Sequence, residues 1–271
     1  MTEQLNNLDV TLRDFIKPQT QPIAIKLLEK GSEIPPKFKR PTSFQGYALG
    51  LCQGITIART YGWSLAYRID DMACGPSLSY FGFIEVPPYQ AEGGLVYPMY
   101  AKNQEGGQRS EAVIDRLPTG KIETILVAPL GRASFSPDVV MVYGNAAQMA
   151  RLIQGALYCH GGGIRSVFAG RCACTAEIIT PLVKDDYNVV IPDAGERIFG
   201  LAGNDELVFS CPGTKIDDLI EGITTTHKSG VARYPYPVYG LRMAPQYPEK
   251  YEPLVEMARL KSASAKGGPT D

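Results

Sequence analysis

Gly170-Arg171-Cys172-Ala173-Cys174-Thr175 sets two thiols one residue apart beside a guanidinium group. In an extended segment such a pair projects both sulfurs to one face, and in a turn both point at one centre. Cys74 precedes Gly75-Pro76, a combination that ends regular structure and fixes the thiol in a loop, while Cys52 lies in a stretch of helical periodicity. Together Cys52, Cys74, Cys172 and Cys174 meet the ligand demand of an iron-sulfur cluster, 4Fe-4S or 2Fe-2S, or of tetrahedral zinc. Arg171 and Arg165 either lower a neighbouring thiol's pKa, bind an anionic ligand, or serve as surface charges. The competing reading is core packing, because a free cysteine behaves as a small hydrophobe. It suits Cys52 on an apolar stripe and Cys211 at a strand end.

Other chemistry has weaker support. Of the two histidines, His160 follows Cys159 and precedes three glycines, as a helix C-terminal residue does, and His227 reads as a helix-end residue. Neither stands at metal-ligand spacing, and a Cys159-His160 dyad fails because helix neighbours point about 100° apart. The turn Tyr143-Gly144-Asn145-Ala146-Ala147 passes from strand to helix, so its free amides suit a phosphate or carboxylate. It lacks the glycine fingerprints of dinucleotide or triphosphate loops, and Gly144 also reads as plain turn chemistry. Asp70 and Asp71 read as a solvated loop or as helpers of a metal or proton transfer.

The elements that must position these groups follow from periodicity. Leu5, Leu8, Leu12 and Phe15 describe an amphipathic helix stopped at Pro18, and Pro22–Leu28 a first core strand. Ala48, Leu51, Cys52, Ile55 and Ala58 lie on one stripe of a helix spanning 45–61, whereas 62–110 is loop-rich. The apolar runs Thr124–Leu130 and Val139–Gly144 predict central strands of a mixed or parallel sheet. A helix capped by Asn145 follows, with Met149, Leu152, Ile153 and Ala156 inward and Gly161–Gly163 at its end. Strands are predicted at Ala176–Ile179, Asn188–Ile191 and Glu206–Ser210, then a helix opened by the capping box Thr214-x-x-Asp217. The class is α/β or α+β: a mixed sheet with packed helices in a single compact domain, residues 1–260. The Tyr234–Tyr239 segment reads as extended and residues 261–271 as a disordered tail.

Composition narrows the partners. The 271 residues carry 27 Lys and Arg against 28 Asp and Glu, so the net charge of -1 supplies no field for nucleic acid. With 44% apolar and 20% charged residues the body of the chain is globular, and no apolar run is long enough to span a bilayer. The expected setting is the cytoplasm, where six cysteines stay reduced. The expected partners are a small anionic ligand near Gly144, Asn145 and Arg171 or a redox partner, with a homodimer through the Tyr/Pro-rich C-terminal segment.

In order along the chain, Pro22-Ile23-Ala24-Ile25-Lys26, Leu51-Cys52-Gln53, Ala73-Cys74-Gly75-Pro76 and Pro137–Gln148 form one set of motifs. Gly170–Cys174, Ile191-Pro192, Gly195-Glu196-Arg197 and Asp205–Phe209 complete it. This pattern resembles the family called domain of unknown function 169, bacterial and archaeal proteins common in anaerobes. The resemblance implies that Cys52, Cys74 and one cysteine of the Gly-Arg-x-x-Cys region are shared thiols of a joint site. It also implies a departure, because relatives carry Pro-Cys where this chain has Pro192-Asp193, leaving Cys172 or Asp193 to replace that thiol. The expectation is a cytoplasmic protein holding an iron-sulfur centre in a redox or Lewis-acid role. The alternatives are a noncatalytic zinc or small-molecule module and a metal-free enzyme with Cys172 or Cys174 as nucleophile.

Overall fold

A computed structural model of the chain describes residues 3–230, 232–236 and 247–266. It opens with α1 (Glu3–Phe15), which buries Leu5, Leu8 and Leu12 on one stripe, and β1 (Ile23–Glu29). α2 (Pro41–Gln45) ends at Gly46, whose φ of 79° only glycine adopts freely, and α3 (Leu51–Tyr61) starts after an extended Gly50. These two glycines divide the stretch that periodicity reads as one helix from 45. The loop-rich region contains β2 (Leu65–Tyr67) and the short helices α4 (Gly75–Tyr80), α5 (Pro88–Ala91) and α6 (Gln104–Ala112). The chain continues through β3 (Ile122–Pro129), β4 (Val139–Gly144) and α7 (Ala146–Ala156). Then come α8 (Ala173–Lys184), β5 (Asn188–Val190), α9 (Ala194–Phe199), β6 (Leu207–Pro212) and α10 (Ile216–Lys228).

The six strands form one sheet in the order β2-β3-β1-β4-β6-β5. Ile25 pairs with Val127, Ile23 with Met141, and Val140 with Cys211, and every pairing of these strands is antiparallel. The expected mixture of helices and strands is present, but the parallel direction is not. Continuous apolar runs report burial on both faces, and here helices cover both faces of an antiparallel sheet. Along β4 the side chains alternate: Val139, Met141 and Tyr143 pack with Ile55 of α3 and Ile178 and Ile179 of α8. Val140 and Val142 face Leu8 and Leu12 of α1, Met149 and Leu152 of α7 and Leu219 and Ile223 of α10.

The largest difference from the sequence reading is α8, because Ala176–Ile179 was expected as a strand. Ile178 and Ile179 are β-branched, yet with Thr175 and Leu182 they repeat at helical spacing, and packing against the sheet overrides local preference. The Thr214 capping box also fails to form, since Thr214 Oγ1 donates to Asp185 and α10 starts from Lys215.

The chain divides after Pro235 into two compact units. In the second, a single turn at Glu249–Tyr251 leads into α11 (Glu252–Lys266), so residues 261–266 of the expected tail are helical. Residues 267–271 of that tail, and 237–239 of the segment read as extended, lie outside the described residues. No helix among the described residues is long and apolar enough to cross a membrane.

Candidate functional site

The four cysteines singled out from sequence line one cavity of about 510 Å³. Cys52 comes from the first turn of α3, Cys74 is the residue before α4, and Cys172 and Cys174 flank the start of α8. Local glycines make room: a Cβ on Gly50 would stand 3.4 Å from Cys52 Sγ, and one on Gly200 would stand 3.0 Å from Cys52 Cβ. Cys172 adopts φ 57°, a left-handed conformation that costs a non-glycine residue about 1–2 kcal/mol and that turns the chain into α8. Asp193 holds that turn. Its carboxylate accepts from Ala173 N at 3.0 Å and from Glu196 N at 2.8 Å, so it joins the starts of α8 and α9. Leu95, Met99, Tyr100 and Phe199 make the rest of the wall largely apolar.

Burial governs the thiols. Desolvation pushes Cys52 up to about 12, with Glu196 and Cys74 adding to it. Cys172 is pushed up to about 11 by burial, against the pull of Arg171, whose Nη1 donates to its Sγ at 3.3 Å. Cys174 stands well above the ordinary thiol range through burial and the nearby Cys74, and Ser77 Oγ lies 3.7 Å from its sulfur. These three thiols are therefore neutral near pH 7 and must lose protons to act as ligands or nucleophiles. Among the described residues no three His, Cys, Asp or Glu side chains close around one point as a single metal ion needs.

Arg171 is held from behind by residues that sequence reading missed. Its guanidinium donates to Tyr80 OH at 3.1 Å and to Glu111, a carboxylate 1% exposed that also accepts from Tyr80 OH at 2.9 Å, Gln90 at 3.0 Å and Arg116 at 2.8 Å. The network ties α4, α5 and α6 to the turn that carries Cys172. Glu111 escapes notice in the sequence because α6 is polar nearly all round, with only Gly107 and Glu111 buried.

On the sheet side of the cavity Glu196 sits in the wall, and Tyr143 OH of β4 donates to its Oε1. Burial raises the proton affinity of Glu196 and of Glu177 of α8 above the ordinary range, and the charge of Glu196 adds to the shift at Glu177. A sequence signal existed: Glu177 interrupts an otherwise apolar stretch, where a charged residue is rare unless it has a partner.

The other candidates lie away from this cavity. The Gly144–Asn145 turn does not line it; Asn145 caps α7 by accepting from Gln148 N, and Gln148 returns the bond to Asn145 N. His160 pairs with Asp218 at 2.9 Å, and Cys211 is buried against the opposite sheet face. Asp71 is not solvated but fully buried, accepting from Arg40, Thr42 and Arg68 N.

A model of the DUF169 family, described as "Uncharacterised ArCR", matches residues 11–222, which contain all four cavity cysteines, Glu177 and Glu196. The chain belongs to the DUF169 family. It is similar to "Uncharacterized protein MJ0308" of Methanocaldococcus jannaschii, 24% identical over 204 residues that cover 74% of this chain and 85% of that protein. No solved structure matches the chain. The family carries no activity to transfer, so a functional reading must come from the cavity.

Proposed function

We propose that Cys52, Cys74, Cys172 and Cys174 hold an iron-sulfur cluster in this cavity. The observation that carries the reading is that Cys52, Cys74 and the Cys172/Cys174 pair, from three separate stretches of the chain, line one cavity. The donor set is all sulfur, as such clusters demand. A thiol enzyme working without metal would have to deprotonate the same buried thiols with no metal to hold the thiolate, whereas metal binding itself displaces those protons.

A bound cluster supplies one-electron transfer, or a Lewis-acidic iron if one position stays free of protein sulfur. The chain's own residues do the rest. Arg171 offers an N–H to the Cys172 sulfur, which stabilises negative charge there, and Glu111 fixes the guanidinium in that direction. The anionic group that Arg171 serves is, in this reading, the thiolate-ligated centre itself. The apolar wall of Leu95, Met99, Tyr100 and Phe199 limits water, and the cavity volume lies in the range of small-molecule sites. A redox partner, a cytoplasmic setting and a homodimer belong to the same proposal, the last to be read by sedimentation.

Anaerobic purification tests it. Brown protein whose visible absorbance bleaches with dithionite, and whose reduced form gives a low-temperature electron paramagnetic signal, is the expected result. Colourless protein that stays free of iron and sulfide after anaerobic reconstitution would overturn it.

A further inference from the structure

Once the thiols hold a cluster, the apolar part of the cavity wall still stands open. Leu95, Met99, Tyr100 and Phe199 line it beside the ring of Tyr80, and Met99, Tyr100 and Phe199 are 72%, 62% and 60% exposed. Large apolar side chains gathered at a cavity and left that open mark a ligand surface. The backbone that carries them is anchored. Val96 is fully buried, Gly93 packs so closely on α6 that a Cβ there would stand 2.3 Å from Gln108 N, and Gln90 of α5 donates to buried Glu111 at 3.0 Å. At the end of α9, Thr56 O–H donates to Gly200 O, which ties the residue after Phe199 to α3.

Charge sets what this surface accepts. Arg171 is the one cation among the lining residues, and Glu111, Tyr80 OH and the Cys172 sulfur already take N–H groups of its two terminal nitrogens. The carboxyls of Asp193 and Glu196 lie in the same wall, so an anion would meet repulsion and no free counter-charge. Those carboxyls are engaged as well, Asp193 by Ala173 N and Glu196 N, and Glu196 by Tyr143 OH, so a cation gains no ready partner. Gln53 supplies a neutral donor. It lines the cavity with its Oε1 held by Gly50 N at 2.8 Å, and its Nε2 N–H groups meet no acceptor of another described residue.

We propose that the cavity binds an uncharged aromatic molecule carrying an acceptor oxygen, an aryl ketone being the simplest, with its ring against Met99, Tyr100 and Phe199 and its oxygen on the Gln53 amide. Tyr and Phe rings favour an aromatic partner through offset and edge contacts, and the Met99 thioether through contact of sulfur with a ring. The hydrogen bond from Gln53 then fixes the orientation of the ligand. The inference rests on the proposed function in one respect: the thiols are taken up by the cluster and leave the apolar wall to the ligand.

Calorimetric titration of the anaerobically purified full chain tests this with naphthalene probes of one substitution pattern: the methyl ketone, the ethyl hydrocarbon, the carboxylate and the methylammonium. The ketone should bind saturably. The hydrocarbon, which lacks the acceptor, should bind about two- to tenfold more weakly, and both charged probes about tenfold more weakly or worse. Gln53→Glu keeps an oxygen on Gly50 N and removes both N–H groups. It should lower the ketone's affinity to that of the hydrocarbon and leave the hydrocarbon's unchanged, which also shows that the variant folds. Phe199→Ala, at an exposed position, should weaken ketone and hydrocarbon alike by about fivefold or more. No ketone binding, tighter binding of either charged probe, or an unchanged ketone affinity in Gln53→Glu would overturn the inference. Iron analysis of the same preparations separates the two readings: iron-loaded protein that ignores the ketone sinks only the ligand assignment, and iron-free protein that binds it sinks only the cluster.

Discussion

Glu111→Gln removes one charge and almost no volume, and the structure says where the cost falls. Glu111 accepts from Arg171, Tyr80, Gln90 and Arg116. Arg116 is 27% exposed along its side chain and can swing toward water, so its pair with Glu111 adds little. Arg171 is 9% exposed and cannot. Its guanidinium would stay buried without a counter-charge, a situation that costs about 3–5 kcal/mol. For a chain of this size that corresponds to a fall in melting temperature of about 6–20 °C, at roughly 2–4 °C per kcal/mol. The assay is urea unfolding followed by circular dichroism, with Tyr80→Phe and Arg116→Ala as companions. Tyr80→Phe loses two hydrogen bonds to charged groups, the one donated to Glu111 and the one accepted from Arg171, about 1.5–3 kcal/mol each, and Arg116→Ala should cost less than about 1 kcal/mol. A Glu111→Gln protein within about 1 kcal/mol of wild type would refute the argument that Arg171 is held by a buried ion pair.

Other consequences are equally concrete. Burial would raise the Asp71 carboxyl, but hydrogen bonds from Thr42, Arg68 N and Arg40 outweigh it and hold it below its usual value of 3.8. Its stabilising share is therefore full above about pH 4 and lost as pH falls through the depressed value. Asp71→Asn should flatten that acid limb in a stability profile, and an unchanged limb would contradict the assignment. The Glu177–Glu196 pair has the opposite sign, because burial raises both carboxyls above 4.5. Wild type should lose stability relative to Glu177→Gln as pH rises above about 4.5, and parallel profiles would contradict this. Gly222 lets α10 approach α7, since a Cβ there would lie 1.9 Å from Gly155 O. Gly222→Ala should cost about 1–3 kcal/mol or more in the same unfolding assay, and a neutral result would argue against that contact.

The site was partly legible in the sequence because thiols are rare and their chemistry is narrow. Cys52, Cys74, Cys172 and Cys174 could be named from residue type and flanking glycines, although nothing local showed that α3, α4 and α8 would carry them to one cavity. The strands β1, β3, β4 and β6 were legible because their apolar runs are long and continuous. Their direction was not, because burial on both faces leaves the same composition in parallel and antiparallel sheets. Reading Ala176–Ile179 as a strand concealed Glu177, whose inward direction exists only when α8 is a helix. Glu111 and Tyr80 were missed for a related reason: each is ordinary in sequence and becomes a site residue only through contacts across α4, α6 and the Cys172 turn.

The central claim is that four particular sulfurs, and not the other two, share one centre. Iron and acid-labile sulfide per chain, measured on anaerobically prepared wild type, Cys74→Ser and Cys211→Ser side by side, tests it most directly. Wild type and Cys211→Ser should carry the same iron and sulfide, because Cys211 is buried against the opposite sheet face, and Cys74→Ser should lose most of both. Equal contents in all three proteins, or none in wild type after reconstitution, would contradict the account.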